Sequence, residues 1–324
     1  MRRSLKTALA GVTSALLLLA LLLIGRAAPV NAGAALSRLW QGEAGRRGAL
    51  PEPVGFHESG GRGLLVKTWV NGAGPYTFAL DTGAGASILS RRAASEARVQ
   101  VEAGGHGIEI GGLSGARSGG AQKAFVRNVA LGTRENTFPA RGLFVVAPGL
   151  PSDVDGILDP SEIFGTLGFV IDMPAGRLSF FDPRTQPLRA AATPPGGAVV
   201  PWLTEGGARR PFVMLAEGRR ALLDTGSGFG LAVNEPAARA LGILMTQGRE
   251  RRGTRDLAGG EVSARRVRAA TVSIGPLVLR DVPTDVLLRA EKGAPVILGR
   301  DALRPFRLTF DPVNRLVMLD PAED

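Results

Sequence analysis

Phe78-Ala79-Leu80-Asp81-Thr82-Gly83-Ala84-Gly85 returns, 143 positions later, as Ala221-Leu222-Leu223-Asp224-Thr225-Gly226-Ser227-Gly228. Each copy runs an apolar strand into an aspartate and then into glycines. The offset that relates Asp81 to Asp224 also relates Leu131-Gly132 to Ile274-Gly275. Gly156-Ile157-Leu158-Asp159 finds its counterpart in Val296-Ile297-Leu298-Gly299. Val170-Ile171-Asp172, Arg177-Leu178 and Phe181-Asp182-Pro183 find theirs in Thr309-Phe310-Asp311, Arg315-Leu316 and Leu319-Asp320-Pro321. Landmarks in one order, at nearly one spacing, mark a duplicated unit.

Each unit reads mainly as strand. Gly63 to Val70 and Tyr76 to Leu80 flank the hairpin signal Asn71-Gly72-Ala73-Gly74-Pro75, and Phe212 to Leu215 and Arg220 to Leu223 flank Ala216-Glu217-Gly218. A short helix is predicted after each aspartate motif, over Arg91 to Arg98 and over Pro236 to Leu241, the second closed by Gly242. Pro187, Pro194, Pro195, Gly196 and Gly197 mark a linker between the units. Abundant glycine (45 residues) and scarce aromatics (5%) suit such a strand-and-turn chain.

The net charge of +10 comes from basic residues scattered among apolar ones. The densest group, Arg249, Arg251, Arg252 and Arg255, reads as a solvated loop, and no nucleic-acid partner is expected. With no cysteine there is no disulfide, thiol nucleophile or thiolate metal site. His57 and His106 are too few to build a metal site and read as loop or surface residues. No metal and no cofactor is expected.

An ionised aspartate at the end of an apolar strand is costly unless something is gained. The glycines at 83 and 85, and at 226 and 228, let the backbone turn sharply and bring amides to the carboxylate. One such turn could be an ordinary aspartate turn. Two, in two equivalent lobes related by a pseudo-twofold axis, would stand face to face. Two carboxylates at hydrogen-bonding distance cannot both ionise at ordinary pH, so they share a proton, one as base and one as acid.

The paired Asp81-Thr82-Gly83-Ala84 and Asp224-Thr225-Gly226-Ser227, each with its later Ile-Leu element, resemble the pepsin and retropepsin superfamily of aspartic peptidases. The resemblance covers about residues 56–322, and the lobe length is closer to the retropepsin type. It implies a mainly β, two-lobed acid-protease β-barrel fold with short helices and a pseudo-twofold internal duplication. It further implies an endopeptidase that cleaves polypeptides with water activated between Asp81 and Asp224. Thr82 and Thr225 would lock the two turns together. Gly83 and Gly226 would shape them, and Ser227 would bond the Asp224 carboxylate where Ala84 cannot serve Asp81. That difference makes Asp224 the more readily ionised acid. Gly111, Gly112, Leu113, Ser114 and Gly115 are the candidate flap over the substrate, with Leu257-Ala258-Gly259-Gly260 as the counterpart in the second lobe. The family's flap tyrosine is missing, and Tyr76 reads as strand packing. Asp159 departs from the glycine of the Ile-Leu-Gly element. Asp159-Pro160-Ser161-Glu162 reads as a capped helix start; the other reading is an extra carboxylate near the pair.

At the amino end, Arg2, Arg3 and Lys6 precede an apolar run from Thr7 to Gly25, followed by Val30-Asn31-Ala32. Residues 1–32 are expected to be a signal peptide or a membrane anchor, since the run matches the ~20 residues that span a bilayer. Residues 33–55 then form a tether, 56–184 the N-terminal lobe, 185–198 the linker and 199–324 the C-terminal lobe. The body is expected outside the cytoplasm, periplasmic or at the cell surface, either free or held in the inner membrane through residues 7–25. A chain with both lobes can build its site alone, so a monomer is expected. The competing reading is an exported, non-catalytic module that binds peptides or proteins on the same fold.

Overall fold

Asn71 and Gly72 both hold positive φ, 50° and 83°, which a two-residue turn between twisted strands requires. They join β1 (Gly63–Val70) to β2 (Ala73–Leu80). The first lobe continues with β3 (Ser87–Ser90), α1 (Arg91–Glu96), β4 (Phe144–Ala147), β5 (Gly156–Leu158) and α2 (Pro160–Ile163). The second lobe repeats the series with β6 (Arg220–Asp224), β7 (Leu231–Asn234), α3 (Glu235–Ala240), β8 (Leu277–Leu287), β9 (Val296–Gly299) and α4 (Arg300–Leu303). This computed structural model describes residues 49–322 apart from 60, 104–106, 206–207, 246–247 and 292. The expected signal or anchor segment, the tether up to residue 48, and His106 lie outside the described residues. The tether's end does not hang free: Val54 and Gly55 pair with Leu178 and Arg177. Among the described residues no helix is long and apolar enough to cross a membrane.

The protein is mainly β and two-lobed. The described strands form an eleven-stranded sheet in the first lobe, an eight-stranded sheet in the second, and a six-stranded sheet to which both contribute. In that shared sheet Gly168–Asp172 pairs antiparallel with Phe306–Asp311, placing Phe169 opposite Phe310. Their rings stack 4.7 Å apart, and Phe164, Phe180, Phe138 and Trp202 extend the aromatic cluster. Each such ring buried on folding contributes about 2–3 kcal/mol, so this seam fixes one lobe against the other. The predicted linker crosses from Phe181 to the strand Ala198–Pro201, which joins the same sheet beside Leu316–Pro321.

The topology that matters for the site is repeated in each lobe. β5 lies between β2, to which it is parallel, and β3, to which it is antiparallel; β9 lies likewise between β6 and β7. The chain must therefore pass from β2 to β3, and from β6 to β7, around the end of the inserted strand. Residues 81–86 and 225–230 make that passage. They are the two aspartate turns.

Two local expectations change. α1 ends at Glu96, short of Arg98, whose φ of 47° is incompatible with helix. Ser90 caps its start, accepting the Ala93 N–H at 3.1 Å. The arginine cluster is a strand, Arg249–Arg255, because it finds a partner in Glu261–Ile274. Arg251 lies 3.3 Å from Asp285, a buried carboxylate that Arg266 also holds at 2.8 Å. α3 behaves as predicted at its end, where Gly242 turns away with φ 66°.

Candidate active site

Asp81 and Asp224 meet at the interface of the lobes. The brace between their turns is reciprocal. The Thr82 hydroxyl donates to the Leu223 carbonyl at 2.6 Å and accepts the Thr225 N–H at 3.1 Å. The Thr225 hydroxyl donates to the Leu80 carbonyl at 3.0 Å and accepts the Thr82 N–H at 3.1 Å. Both threonines are fully buried. Each hydroxyl thus satisfies one backbone group on either side of the opposite aspartate, and loss of either leaves buried polar groups unpaired.

The glycines bring the carboxyl groups together. A β-carbon at Gly83 would lie 2.7 Å from the Asp224 carboxyl carbon, and one at Gly226 would collide still harder with the Asp81 carboxyl group. Each turn therefore gives up a side chain to make room for the other lobe's acid. The Gly83 N–H donates to Asp81 at 2.8 Å. The Ser227 N–H donates to Asp224 at 2.9 Å, while the Ser227 hydroxyl accepts the Phe229 N–H at 3.3 Å. The expected serine contact is thus made by the backbone amide, and the hydroxyl braces the turn.

The carboxyl groups lie within hydrogen-bonding reach of each other, and their environments separate them. Burial holds Asp81 well above the usual carboxylate range, and the charges of Asp224 and Asp159 push it further; the Gly83 amide opposes them. Burial also raises Asp224, but the Ser227 amide, the bond to Asp81, the Gly226 amide and the Arg300 charge all work against it. The pair therefore favours a proton on Asp81 and negative charge on Asp224.

Arg300 was not singled out in the sequence. It is buried, follows Gly299 at the start of α4, and donates to the Thr225 and Gly226 carbonyls at 2.8 and 2.7 Å. Its Nε reaches Glu58 at 3.1 Å. The legible signal was an arginine directly after an apolar Ile-Leu-Gly run, where a solvated side chain is not expected.

In the first lobe the matching helix starts at Asp159, fully buried, whose Oδ1 accepts the Ser161 N–H at 2.9 Å and the Ser161 hydroxyl at 2.5 Å. The capping role and Pro160 at the first helical position are as read from sequence. The capping-box bond from Glu162 is not made. Glu162 instead accepts the Arg209 N–H at 3.0 Å, and the Asp159 N–H goes to the Ser87 hydroxyl at 3.1 Å. Burial pushes Asp159 up to about 7, against the Ser161 hydroxyl bond.

Gly111, Gly112, Leu113, Ser114 and Gly115 form the tip between the strands Ile108–Gly111 and Arg117–Phe125. The opposing tip, 256–260, joins Arg249–Arg255 to Glu261–Ile274. The two tips touch. The Ser114 N–H donates to Asp256 at 2.7 Å, and Asp256 also accepts the Ala258 and Gly260 N–H groups, each at 3.1 Å. Leu113 packs against a second-lobe cluster containing Ala232, Leu287 and Ile297. Leu257 packs against a first-lobe cluster containing Ala79, Ile88 and Ile157, beside Ala84 of the first turn. Asp256 was also missed; a charged residue just before a glycine-bearing tip gives little signal of a bond across lobes. Tyr76 is buried strand packing, and His57 is exposed on His57–Ser59.

A family model described as aspartyl protease matches residues 66–159 and 217–302, one segment in each lobe and each holding one of the turns. No curated protein matches the chain.

Proposed function

The chain belongs to the aspartyl protease family, whose function is proteolysis, and on that premise we propose that it is a water-activating endopeptidase of the retropepsin-like type, with Asp81 as general acid and Asp224 as general base. The observation that carries the reading is the reciprocal fit of Gly83 on the Asp224 carboxyl group and Gly226 on that of Asp81. A fold that needed only two stable turns would not remove a side chain from each to seat the opposite acid.

In the proposed reaction a water between the carboxyl groups gives a proton to Asp224 while its oxygen attacks the scissile carbonyl carbon. Asp81 donates its proton to the carbonyl oxygen, giving a neutral gem-diol. On collapse the gem-diol returns a proton to Asp81, the C–N bond breaks, and Asp224 delivers its proton to the departing nitrogen. Both acids end as they began. The unequal environments suit this division: amides and Arg300 favour the charged form of Asp224, and neighbouring carboxylates favour the protonated form of Asp81.

A substrate would lie extended between the lobes under the two tips, which must part to admit it. Leu113 and Leu257 occupy apolar clusters beside the turns, so apolar side chains flanking the cut bond suit the same walls. One chain supplies both acids, which supports a working monomer. The basic and apolar amino end supports export, with the body periplasmic or surface-exposed and either released or anchored. A labelled chain that fractionates with the cytoplasm would overturn that part.

The direct test is cleavage of denatured casein by the full chain from acid to neutral pH, with and without a statine-type transition-state mimic. Cleavage blocked by the mimic supports the reading. Folded protein that cuts nothing at any pH turns the assignment toward a binding module.

A further inference from the structure

The register of β5 on β2 pairs Leu158 with Leu80, and the Asp81 N–H donates to the Leu158 carbonyl at 3.0 Å. The residue that follows each strand is an aspartate, so Asp159 stands beside Asp81. Its side chain is fully buried, its Oδ2 has no hydrogen-bond partner, and no cation pairs with it among the described residues. In the second lobe the register pairs Asp224 with Gly299. A β-carbon there would lie 2.8 Å from the Ser227 carbonyl oxygen and closer still to that of Phe229. The second turn folds down onto the helix start; the first leaves room for a carboxyl group.

Capping does not call for this acid. Serine or asparagine caps a helix as well, without a buried ionisable group. Among the described residues, the charges that bear on Asp159 include Asp81 across the register and Glu162 on α2. The cations near α2 lie at its other end and are engaged there: Arg209 donates to the Gly165 carbonyl at 2.6 Å and, through its N–H, to Glu162, while Arg141 packs at Gly165.

We propose that Asp159 is a positioning residue for the proton shared by Asp81 and Asp224, and that its carboxyl group sets how far the pH can rise before Asp81 releases that proton. The inference rests on the paired-aspartate reading. Three carboxyl groups in one buried site lose their protons in sequence, each ionisation making the next harder. Negative charge at 159 opposes ionisation of Asp81, while Arg300 favours ionised Asp224, so the proton is held on the first lobe. Without the carboxyl group at 159, Asp224 alone opposes ionisation of Asp81, and the proton leaves at lower pH.

The test is a carbon-13 titration of the aspartate carboxyl carbons in the full chain, for the wild type, Asp159→Asn and Asp159→Ser, with Asp81→Asn to assign the signal. Both replacements at 159 are neutral helix caps of different shape. The expected result is a fall of the Asp81 midpoint by roughly half to one pH unit in both variants. The alkaline limb of kcat/KM on casein should move by the same amount, with the acid limb and KM in place. In the wild type the Asp81 curve should carry a second inflection at the Asp159 midpoint, which decides the matter even if neither variant folds. An unchanged Asp81 midpoint in both variants, a single-step wild-type curve, or both limbs moving together would overturn the proposal. If the wild type cuts nothing, the peptidase reading fails while the Asp81 titration still decides the role of Asp159.

Discussion

Behind the first aspartate turn the chain places Asp159-Pro160; behind the second it places Gly299-Arg300. The strands, the crossing order and the threonine brace are shared by the two lobes, so the differences lie in the amides that reach each acid and in the residues that start α2 and α4. A duplicated fold supplies two equal acids, and equal acids give no reason for the proton to sit on one. The Ser227 and Gly226 amides and the buried Arg300 guanidinium on one side, and the buried Asp159 carboxyl group on the other, supply that reason. The fold's symmetry builds the pair, and local departures from it polarise the pair.

Changing the acids themselves has the largest expected effect. Asp81→Asn and Asp224→Asn should each lower kcat by at least about a thousandfold, by removing the acid or the base, while circular dichroism shows an unchanged fold. Retained cleavage in either variant would sink the assignment.

Next come the glycines. Gly226→Ala and Gly83→Ala should cost about 1–3 kcal/mol in urea unfolding and about a hundredfold in kcat, because the new methyl group pushes the opposite carboxyl group out of line. Gly226→Ala should be the worse, since its β-carbon meets Asp81 more closely than that of Gly83 meets Asp224. Equal penalties would show that the turns shift freely.

Arg300→Met tests the second lobe's side of the difference. It leaves the Thr225 and Gly226 carbonyls without their donor and should cost about 3 kcal/mol. The acid limb of activity should move to higher pH, because Asp224 loses the charge that favours its ionised form. A stability loss with no movement of that limb would reduce Arg300 to a structural brace.

Asp159 gives the matching prediction in stability. Its pKa is raised in the folded state to about 7 from an ordinary 3.8. The folded chain binds this proton more tightly than the unfolded chain, so its contribution is fully present below about pH 4 and is lost as pH rises toward 7, on the order of 4 kcal/mol across that window. Urea midpoints of Asp159→Asn should fall less steeply over the same range. Parallel curves for variant and wild type would contradict a buried, titrating Asp159.

The smallest effect belongs to the exposed tie between the lobes, where Arg117 lies 2.7 Å from Glu291. Glu291→Gln should change stability by less than about 1 kcal/mol, and less again at high salt. A larger loss in thermal unfolding would mean that the tips depend on this pair more than its exposure allows.

Much of this was legible because periodicity and repetition are local. The strands flanking Asn71-Gly72, the short helices after each aspartate turn, the hairpin tip at 111–115 and the cap at Asp159 follow from residues within a few positions of one another. The arginine strand Arg249–Arg255 carries no alternation that marks it as a strand; its partner, Glu261–Ile274, supplies the order. Glu162 left the capping box because Arg209, 47 residues away, offered a better-placed donor.

That the chain is duplicated, mainly β, and carries two equivalent aspartate turns can be read along it, because strand patterning, glycine turns and repeat spacing are local. That Gly83 and Gly226 each seat the other lobe's acid, that Arg300 turns inward to hold the second turn, and that Asp159 lies buried beside Asp81 follow from the packed lobes alone. Those are matters of register and burial, set when distant strands pair and water leaves the interface between the lobes.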